Sequence, residues 1–193
     1  NPRIIMASIS GFGQSGPLSE KTAFDFIAQA YSGLMHMTGD PDGPPMLIGA
    51  GIADTSTGVH AFAALGYALY RRDRTGEGSH LDIGMVDVMY HMQETAVSGP
   101  SLSEGEVVAM RTGRHYAPAS PAGIFKGPKG WIVVFALENQ IANLWAALGS
   151  PELAEDPRFQ NNRTRLEYRD DLTEIIEQWM SAFETDEEVV AIL

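Results

Sequence analysis

The chain has 193 residues, of which 44% are hydrophobic, and its 13 basic and 25 acidic residues give a formal net charge of −12 at pH 7. A surface this acidic repels phosphate backbones, so we expect no nucleic-acid partner. No apolar run reaches the roughly 18 residues of a membrane span, so no membrane partner is expected. The absence of cysteine excludes disulfides and thiolate ligands and fits a cytoplasmic protein. The five histidines lack metal-ligand spacing, and no metal site is predicted.

The chain opens with a short apolar run that leads into a glycine-rich loop. The run Ile4–Ile9 predicts a strand buried on both faces, as in a parallel sheet. The loop Gly11–Gly16 then matches the G-x-G-x-x-G pattern of dinucleotide-binding sites. A dinucleotide loop opens directly into a helix, whereas the segment Pro17–Lys21 intervenes here. Binding of a nicotinamide nucleotide is therefore the weaker interpretation of this loop.

An apolar run with spaced glycines, Leu47–Gly58, connects two predicted helices and contains a single carboxylate, Asp54. The helices are predicted over about Ala23–Met37 and Thr55–Arg72. Asp54 directly precedes the second helix, where its side chain could cap the free N–H groups. Alternatively, a carboxylate that the helix dipole keeps ionised beside glycines could act as a nucleophile. The local sequence leaves both interpretations open.

The second helix is apolar on more than one side, which predicts that it is buried. Its His60 is interpreted as a packed or hydrogen-bonded residue, and the arginines of residues 71–74 either complement the helix C-terminus or bind phosphate. Alternating hydrophobicity over Ser79–Met85 predicts a strand parallel to the first one, followed by a helix over about Val86–Ala96. This order of elements indicates an α/β domain with a Rossmann-like parallel sheet.

The pattern along the chain indicates three parts. We predict part of a large α/β domain over residues 1–97, a linker over residues 98–120, and the start of a smaller α+β domain over residues 121–193. The last part contains a predicted β-hairpin around Gly127–Gly130, followed by helices. The chain begins without methionine and ends in an apolar helical run, so we expect an internal section of a larger protein.

Six short segments in the first half of the chain carry, by their order and spacing, a resemblance to one enzyme family. They are Ala7–Pro17, Phe24–Ala30, Ser32–Met35, Thr38–Pro45, Ala53–Gly58 and Arg74–Gly78. Together they resemble the family III CoA-transferases, which include formyl-CoA transferase and the carnitine and bile-acid CoA-transferases. The predicted hairpin and the segment Pro151–Phe159 extend the resemblance into the second half.

The resemblance implies an enzyme that moves CoA from an acyl-CoA donor to a small carboxylic acid. It makes the predicted domain of residues 1–97 part of a CoA-binding domain with the catalytic aspartate. Asp54 would be the catalytic nucleophile, acting through aspartyl anhydrides and an aspartyl-CoA thioester. CoA is then a substrate, and no permanently bound cofactor is implied. Family members form interlocked homodimers, so we expect one here. The positions that the resemblance places against CoA are Thr22, Ala23, Phe24, Asp25 and Met85, and Asp25 could also orient the site.

Two alternatives remain beside the transferase. The α-methylacyl-CoA racemases and epimerases of the same superfamily need a His/Asp pair, with the histidine in a Gly-His-Asp segment. The matching segment here is Ala23-Phe24-Asp25, and Phe24 cannot carry a proton, which favours the transferase. The other alternative is a non-catalytic acyl-CoA-binding or assembly fragment. Thr22 also stands where formyl-CoA transferase has a lysine, so one phosphate-facing charge is missing.

Overall fold

The computed structural model describes residues 1–193, except for the side chain of Thr95, and shows two compact units. The first unit comprises Asn1–Arg111 and the second comprises Thr112–Leu193. Their boundary falls inside the linker predicted over residues 98–120, although a helix of the first unit continues to Leu102. The functional division into a CoA-binding domain, a linker and a smaller domain stays a prediction.

The first unit combines a two-stranded sheet with helices. No described helix is both long and apolar enough to cross a membrane. The elements of this unit are β1 (Ile5–Ser10), α1 (Asp25–Tyr31), α2 (Leu34–Met37), α3 (Ile52–Thr75), β2 (Ser79–Gly84), α4 (Met85–His91) and α5 (Glu94–Leu102).

Strands β1 and β2 pair in parallel, with Ile5 opposite Ser79 and Ser10 opposite Gly84. Gly78 makes this register possible, because a Cβ there would lie only 1.8 Å from the carbonyl oxygen of Ile4. The N–H of Gly78 also donates to the carbonyl of Pro2 at 2.8 Å. The predicted α/β class with a parallel sheet is confirmed, as is the long helix predicted to follow the glycine run.

Burial is lower than the sequence predicts, both in β1 and in α3. Met6 and Ile9 are 50% and 52% exposed, so β1 is not buried on both faces. Phe62 and Tyr67 on α3 are 81% and 78% exposed, so the prediction of a buried helix is also wrong. Both differences have one cause: within the described residues the sheet has two strands, and α3 packs along a single stripe. The buried residues of that stripe are Ala53, Thr57, Ala61 and Ala68.

Two helices predicted as continuous are each divided in the structure. The helix predicted over residues 23–37 separates into α1 and α2 because Gly33 adopts a left-handed conformation, with φ of 85°. The helix predicted over residues 86–96 separates into α4 and α5 around Gln93. The side chain of Gln93 donates to the carbonyl of Met89 at 2.9 Å, which satisfies one carbonyl at the end of α4.

The core of the first unit lies where the start of α3 meets α1 and α4. It is small and consists of Ala28 from α1, Ala53 from α3, and Met85, Val88 and Met89 from α4. Since α4 follows β2 directly, this core places the N-terminus of α3 near the carboxyl end of the parallel strand. In open α/β sheets, ligands bind outside the carboxyl ends of the strands.

The second unit is a β-hairpin followed by helices, as predicted. Its strands pair antiparallel, with Lys126 opposite Trp131, and two of its helices are separated only by Tyr168. Short 3₁₀ turns cover Glu138–Gln140 and Pro151–Ala154. The longer elements are β3 (Ala122–Lys126), β4 (Trp131–Phe135), α6 (Ile141–Ala147), α7 (Asn162–Glu167), α8 (Arg169–Met180) and α9 (Asp186–Ile192).

A buried arginine, Arg165 on α7, cross-links the second unit and was not anticipated from the sequence. Its side chain is 1% exposed. Its Nε donates to the carbonyl of Ser120 at 2.7 Å, one terminal nitrogen donates to the carbonyl of Phe159 at 2.9 Å, and the other pairs with Glu138. The planar guanidinium thus makes hydrogen bonds to three separate segments of the chain at once, which a lysine ammonium cannot do with the same geometry.

We expect Arg165→Lys to destabilise the second unit by about 1–3 kcal/mol, because at least one buried carbonyl loses its donor. Denaturant unfolding of the intact protein, followed by hydrogen exchange of residues 112–193, measures this loss. The matched control is Arg163→Lys, since Arg163 lies on the same helix and is exposed. Equal effects from the two substitutions would contradict the cross-linking role.

Candidate functional site

Asp54 lies inside the first turn of α3 and is not the residue that caps it. The helix begins at Ile52 after Gly51, earlier than the predicted Thr55. The prediction that Asp54 is the N-cap is therefore wrong, because Gly51 already accepts a helical hydrogen bond from the N–H of Thr55 at 3.0 Å. Asp54 is exposed, and its backbone N–H donates a hydrogen bond to the carboxylate of Asp25. Among the described residues, the carboxylate of Asp54 itself has no hydrogen-bond partner.

The carboxylate that caps α3 comes from Asp25, at the start of α1. Asp25 is 6% exposed. Its Oδ2 accepts hydrogen bonds from the N–H groups of Ala53 at 2.7 Å and of Asp54 at 3.1 Å. Its Oδ1 accepts from Nε2 of Gln29 at 2.5 Å. An ionised carboxylate has only acceptor sites, so it can accept all three of these hydrogen bonds.

The remaining N–H groups of the first turn of α3 are also satisfied within the chain. The N–H of Ile52 donates to the carbonyl of Ala50 at 2.8 Å, and that of Thr55 donates to Gly51. With the two taken by Asp25, the N–H groups of Ile52, Ala53 and Asp54 all have acceptors, and Thr55 makes the first hydrogen bond of the helix itself. Among the described residues, the first turn Ile52–Thr55 therefore keeps no N–H group free for an anion, and we call it a closed cap.

Gln29 ties the glycine run before α3 to helix α1. It is fully buried, its Oε1 accepts from the N–H of Ile48 at 3.1 Å, and its Nε2 lies 3.5 Å from the carbonyl oxygen of Ala50. Sequence reasoning missed Gln29. The available signal was its spacing of four residues from Asp25, which places two polar side chains on one helical face beside the buried Ala28.

The glycine-rich loop after β1 packs against its neighbours at the carboxyl end of the sheet. A Cβ at Gly11 would lie 2.3 Å from the Cβ of Ala23, and the N–H of Gln14 donates to both carboxylate oxygens of Asp82 at 2.9 and 3.0 Å. Turns follow this loop, and the next helix begins only at Asp25. This differs from a dinucleotide loop, which opens directly into a helix.

The structure brings some of the sequence-predicted CoA positions to the start of α3 and leaves others at the surface. Asp25 accepts hydrogen bonds from the first turn of α3, and Met85, which is only 7% exposed, packs in the same core as Ala53. The buried side chains of Asp25 and Met85 contact protein groups. Thr22 and Phe24 are exposed on the segment leading into α1, and Phe24 is 74% exposed.

The basic residues at the far end of α3 do not belong to this site. At 1.5 Å per residue, Arg71 lies about 25 Å from Asp54 along the helix. Arg71 donates to the carbonyl of Gly78 at 2.9 Å and pairs with Glu77 at 2.8 Å, which favours its structural interpretation.

Nearer the site, His60 is hydrogen-bonded as expected, with Nδ1 2.7 Å from the carbonyl oxygen of Ser56. Among the described residues, no group of three or more His, Cys, Asp or Glu could hold a metal ion.

The whole chain, residues 1–193, matches the family model for CoA-transferase family III. It is 39% identical to the acetyl-CoA:oxalate CoA-transferase of Acetobacter aceti, covering 94% of this chain and 46% of that protein. It is 36% identical to the succinyl-CoA–D-citramalate CoA-transferase of Chloroflexus aurantiacus, covering 97% and 46%. It is also 36% identical to the formyl-CoA:oxalate CoA-transferase of Streptomyces coelicolor, covering 94% and 48%.

The fold is similarly matched by solved structures. A CAIB/BAIF family protein from Brucella suis superposes with a TM-score of 0.80 at 32% identity, covering 100% of this chain and 50% of that one. The chain therefore spans about half the length of the relatives that it matches. The resemblance seen in the sequence is confirmed over its full length, and the chain belongs to CoA-transferase family III.

Proposed function

We propose that the intact protein transfers CoA from an acyl-CoA donor to a carboxylic acid, with Asp54 as the nucleophile. The observation that carries this proposal is an exposed carboxylate in the first turn of α3 that is not needed for capping, because Asp25 performs that role. Gly51 precedes the helix, and a Cβ at Gly49 would meet nothing within 4 Å, so a ligand can approach this backbone closely.

In the proposed reaction, a carboxylate oxygen of Asp54 attacks the thioester carbon of the donor, and the C–S bond breaks to release CoA thiolate and leave a mixed anhydride. The thiolate then attacks the aspartyl carbonyl, which gives an aspartyl-CoA thioester and releases the donor's acid. The acceptor carboxylate attacks that thioester and again displaces thiolate. Attack of the thiolate on the acceptor's acyl carbon yields the new acyl-CoA and restores Asp54.

Each attack develops an oxyanion that needs hydrogen-bond donors. The N–H groups of Ile52, Ala53 and Asp54 are already engaged by Ala50 and Asp25, so they are not the donors that we propose. The oxyanion is instead stabilised by groups outside this helix terminus. The exposed Thr22 and Phe24 contact CoA in this proposal, together with Ala23 and Met85.

The substrate class follows from the named activities of the relatives. Those proteins use acetyl-CoA, succinyl-CoA or formyl-CoA together with oxalate or D-citramalate. We extend to this protein only what these pairs share, namely a short acyl-CoA and a small carboxylic acid. CoA acts as substrate throughout.

The proposal includes an interlocked homodimer in the cytoplasm. Large apolar side chains on α3, among them Val59, Phe62 and Tyr67, are 67–81% exposed in this chain. Several large exposed apolar side chains on one helix are typical of an interface. Light scattering of the intact protein should give a dimer at micromolar concentration, and a monomer would contradict this part of the proposal.

We expect Asp54→Asn to abolish CoA transfer, because an amide cannot form the anhydride. Its stability should change by less than about 1 kcal/mol, since Asp54 contributes to the helix only through the dipole. The assay follows acyl-CoA and free CoA by mass spectrometry, with hydroxylamine added to trap an aspartyl adduct on Asp54 in the wild type.

The matched control for Asp54→Asn is Asp170→Asn, which removes an exposed carboxylate from the first turn of α8 in the second unit. This variant should transfer CoA normally. Near wild-type transfer by Asp54→Asn, with its sequence confirmed and deamidation excluded, would remove Asp54 from the mechanism. Acyl-CoA binding without any adduct in the wild type would instead indicate the non-catalytic fragment.

The racemase alternative makes a separate prediction. Because Phe24 is exposed and has no ionisable group, we expect no exchange of the α-proton of a 2-methylacyl-CoA in deuterated water. Proton NMR of that thioester with the intact enzyme measures the exchange, and CoA transfer in the same sample shows that the enzyme is active. Exchange at a rate comparable to turnover would mean that the protein belongs to the racemase branch.

A further inference from the structure

We infer that Asp25 is the positioning residue for Asp54, acting through the start of helix α3 and not by contact with CoA. This inference rests on the proposed function, in which Asp54 is the nucleophile. It replaces the CoA contact that the family resemblance implied for the Asp25 side chain. The geometry that points to it is a direct hydrogen bond from the backbone N–H of Asp54 to Oδ2 of Asp25 at 3.1 Å.

The hydrogen bonds of Asp25 fix both the position and the direction of the first turn of α3. Its Oδ2 holds two successive N–H groups, those of Ala53 and Asp54. Because the backbone of Asp54 is held directly, the Cα–Cβ bond that carries the reactive carboxylate points in one direction. Ala53 is fully buried between α1 and α4, so the turn is also fixed from its inner side.

Gln29 holds Asp25 in place and extends the same network to the glycine run. Its Nε2 donates to Oδ1 of Asp25, while its Oε1 accepts from the N–H of Ile48. Both side chains come from α1 and are nine-tenths or more buried. Helix α1 therefore carries a buried polar pair that sets where the glycine run ends and the helix with the nucleophile begins.

The position of Asp54 matters for this chemistry because its carboxylate oxygen must approach the carbonyl carbon of the thioester at a defined distance and angle. Displacement of a reacting group by about 1 Å can lower a rate by roughly 100-fold. An exposed Asp54 side chain has no described hydrogen bond of its own, so its backbone supplies the positional control.

The test compares Asp25→Asn with the double substitution Asp25→Asn/Gln29→Glu. In the single variant, the new amide keeps one oxygen for the two backbone N–H groups but turns its NH₂ toward the NH₂ of Gln29, so the two donors oppose each other. In the double variant, the carboxylate introduced on α1 would accept from that amide and from the N–H of Ile48. The double variant exchanges the acid and the amide and keeps the total charge.

We expect Asp25→Asn to lower kcat about 10–100-fold with KM for acyl-CoA changed less than about 3-fold, and to slow the trapping of the adduct on Asp54 equally. The double variant should recover kcat to within about 10-fold of the wild type. A rise in KM with unchanged kcat would overturn the inference in favour of a CoA contact. Failure of a folded double variant to recover would overturn it too, since a charge at Asp25 would then be required.

Loss of a helix cap elsewhere provides the control for stability alone. Thr185→Ala removes the side-chain cap of α9, where Thr185 Oγ1 accepts from the N–H of Glu188 at 3.3 Å. It should lower the melting temperature without changing kcat. If Asp25→Asn does not fold, the double variant decides the question by itself.

The two proposals fail in different ways. No adduct on Asp54 in the wild type contradicts the proposed function. A wild-type adduct that forms equally fast in Asp25→Asn contradicts only the positioning role.

Discussion

The hydrogen bond between a buried carboxylate and the start of a long helix is the constraint on which the first unit depends. Asp25 takes two N–H groups of α3, and removing a helix cap typically costs about 0.5–2 kcal/mol. A buried N–H group left without an acceptor adds to that cost. Because Asp25 satisfies these groups from another helix, the chain does not need a capping side chain at Gly51. Asp54 can then lie in the first turn with its carboxylate facing outward.

Small residues make this arrangement possible. Ala28 and Ala53 are fully buried where α1 and α3 meet, and larger side chains would hold the helices too far apart for the Asp25 carboxylate to reach the N–H groups. The parallel strands add the second requirement, because α4 follows β2 and packs against the same alanines. The close packing at this end of the sheet thus depends on the same two alanines that bring Asp25 next to Asp54.

Local sequence patterns predicted the helices and strands better than the hydrogen-bond partners between them. The apolar run before Ser10, the alternation after Gly78 and the glycines of the hairpin each act over a few residues, and those strands were confirmed. One of the two interpretations of Asp54 made it the cap of α3, whereas the carboxylate that caps the helix, Asp25, lies 28 and 29 residues from the N–H groups whose hydrogen bonds it accepts. The buried Arg165 was missed for a similar reason, since its acceptor at Ser120 is 45 residues away. The exposure of α3 could not be predicted either, because hydrophobicity does not say whether a covering surface belongs to the same chain.

The separation of roles between two aspartates has a chemical consequence for the proposed reaction. A helix N-terminus with open N–H groups attracts anions, and such a terminus would hold the carboxylate of Asp54 or of a substrate in unproductive hydrogen bonds. Here the N–H groups of Ala53 and Asp54 are engaged by the buried Asp25 and that of Ile52 by Ala50, so the first turn contributes its dipole without offering donors. A nucleophile needs its lone pairs free, and an exposed carboxylate above a closed cap meets that need better than a carboxylate that caps its own helix. On this argument, Asp25 and Gln29 together with Asp54 form the functional unit of the sequence, and Asp54 with its adjoining helix is only one part of it.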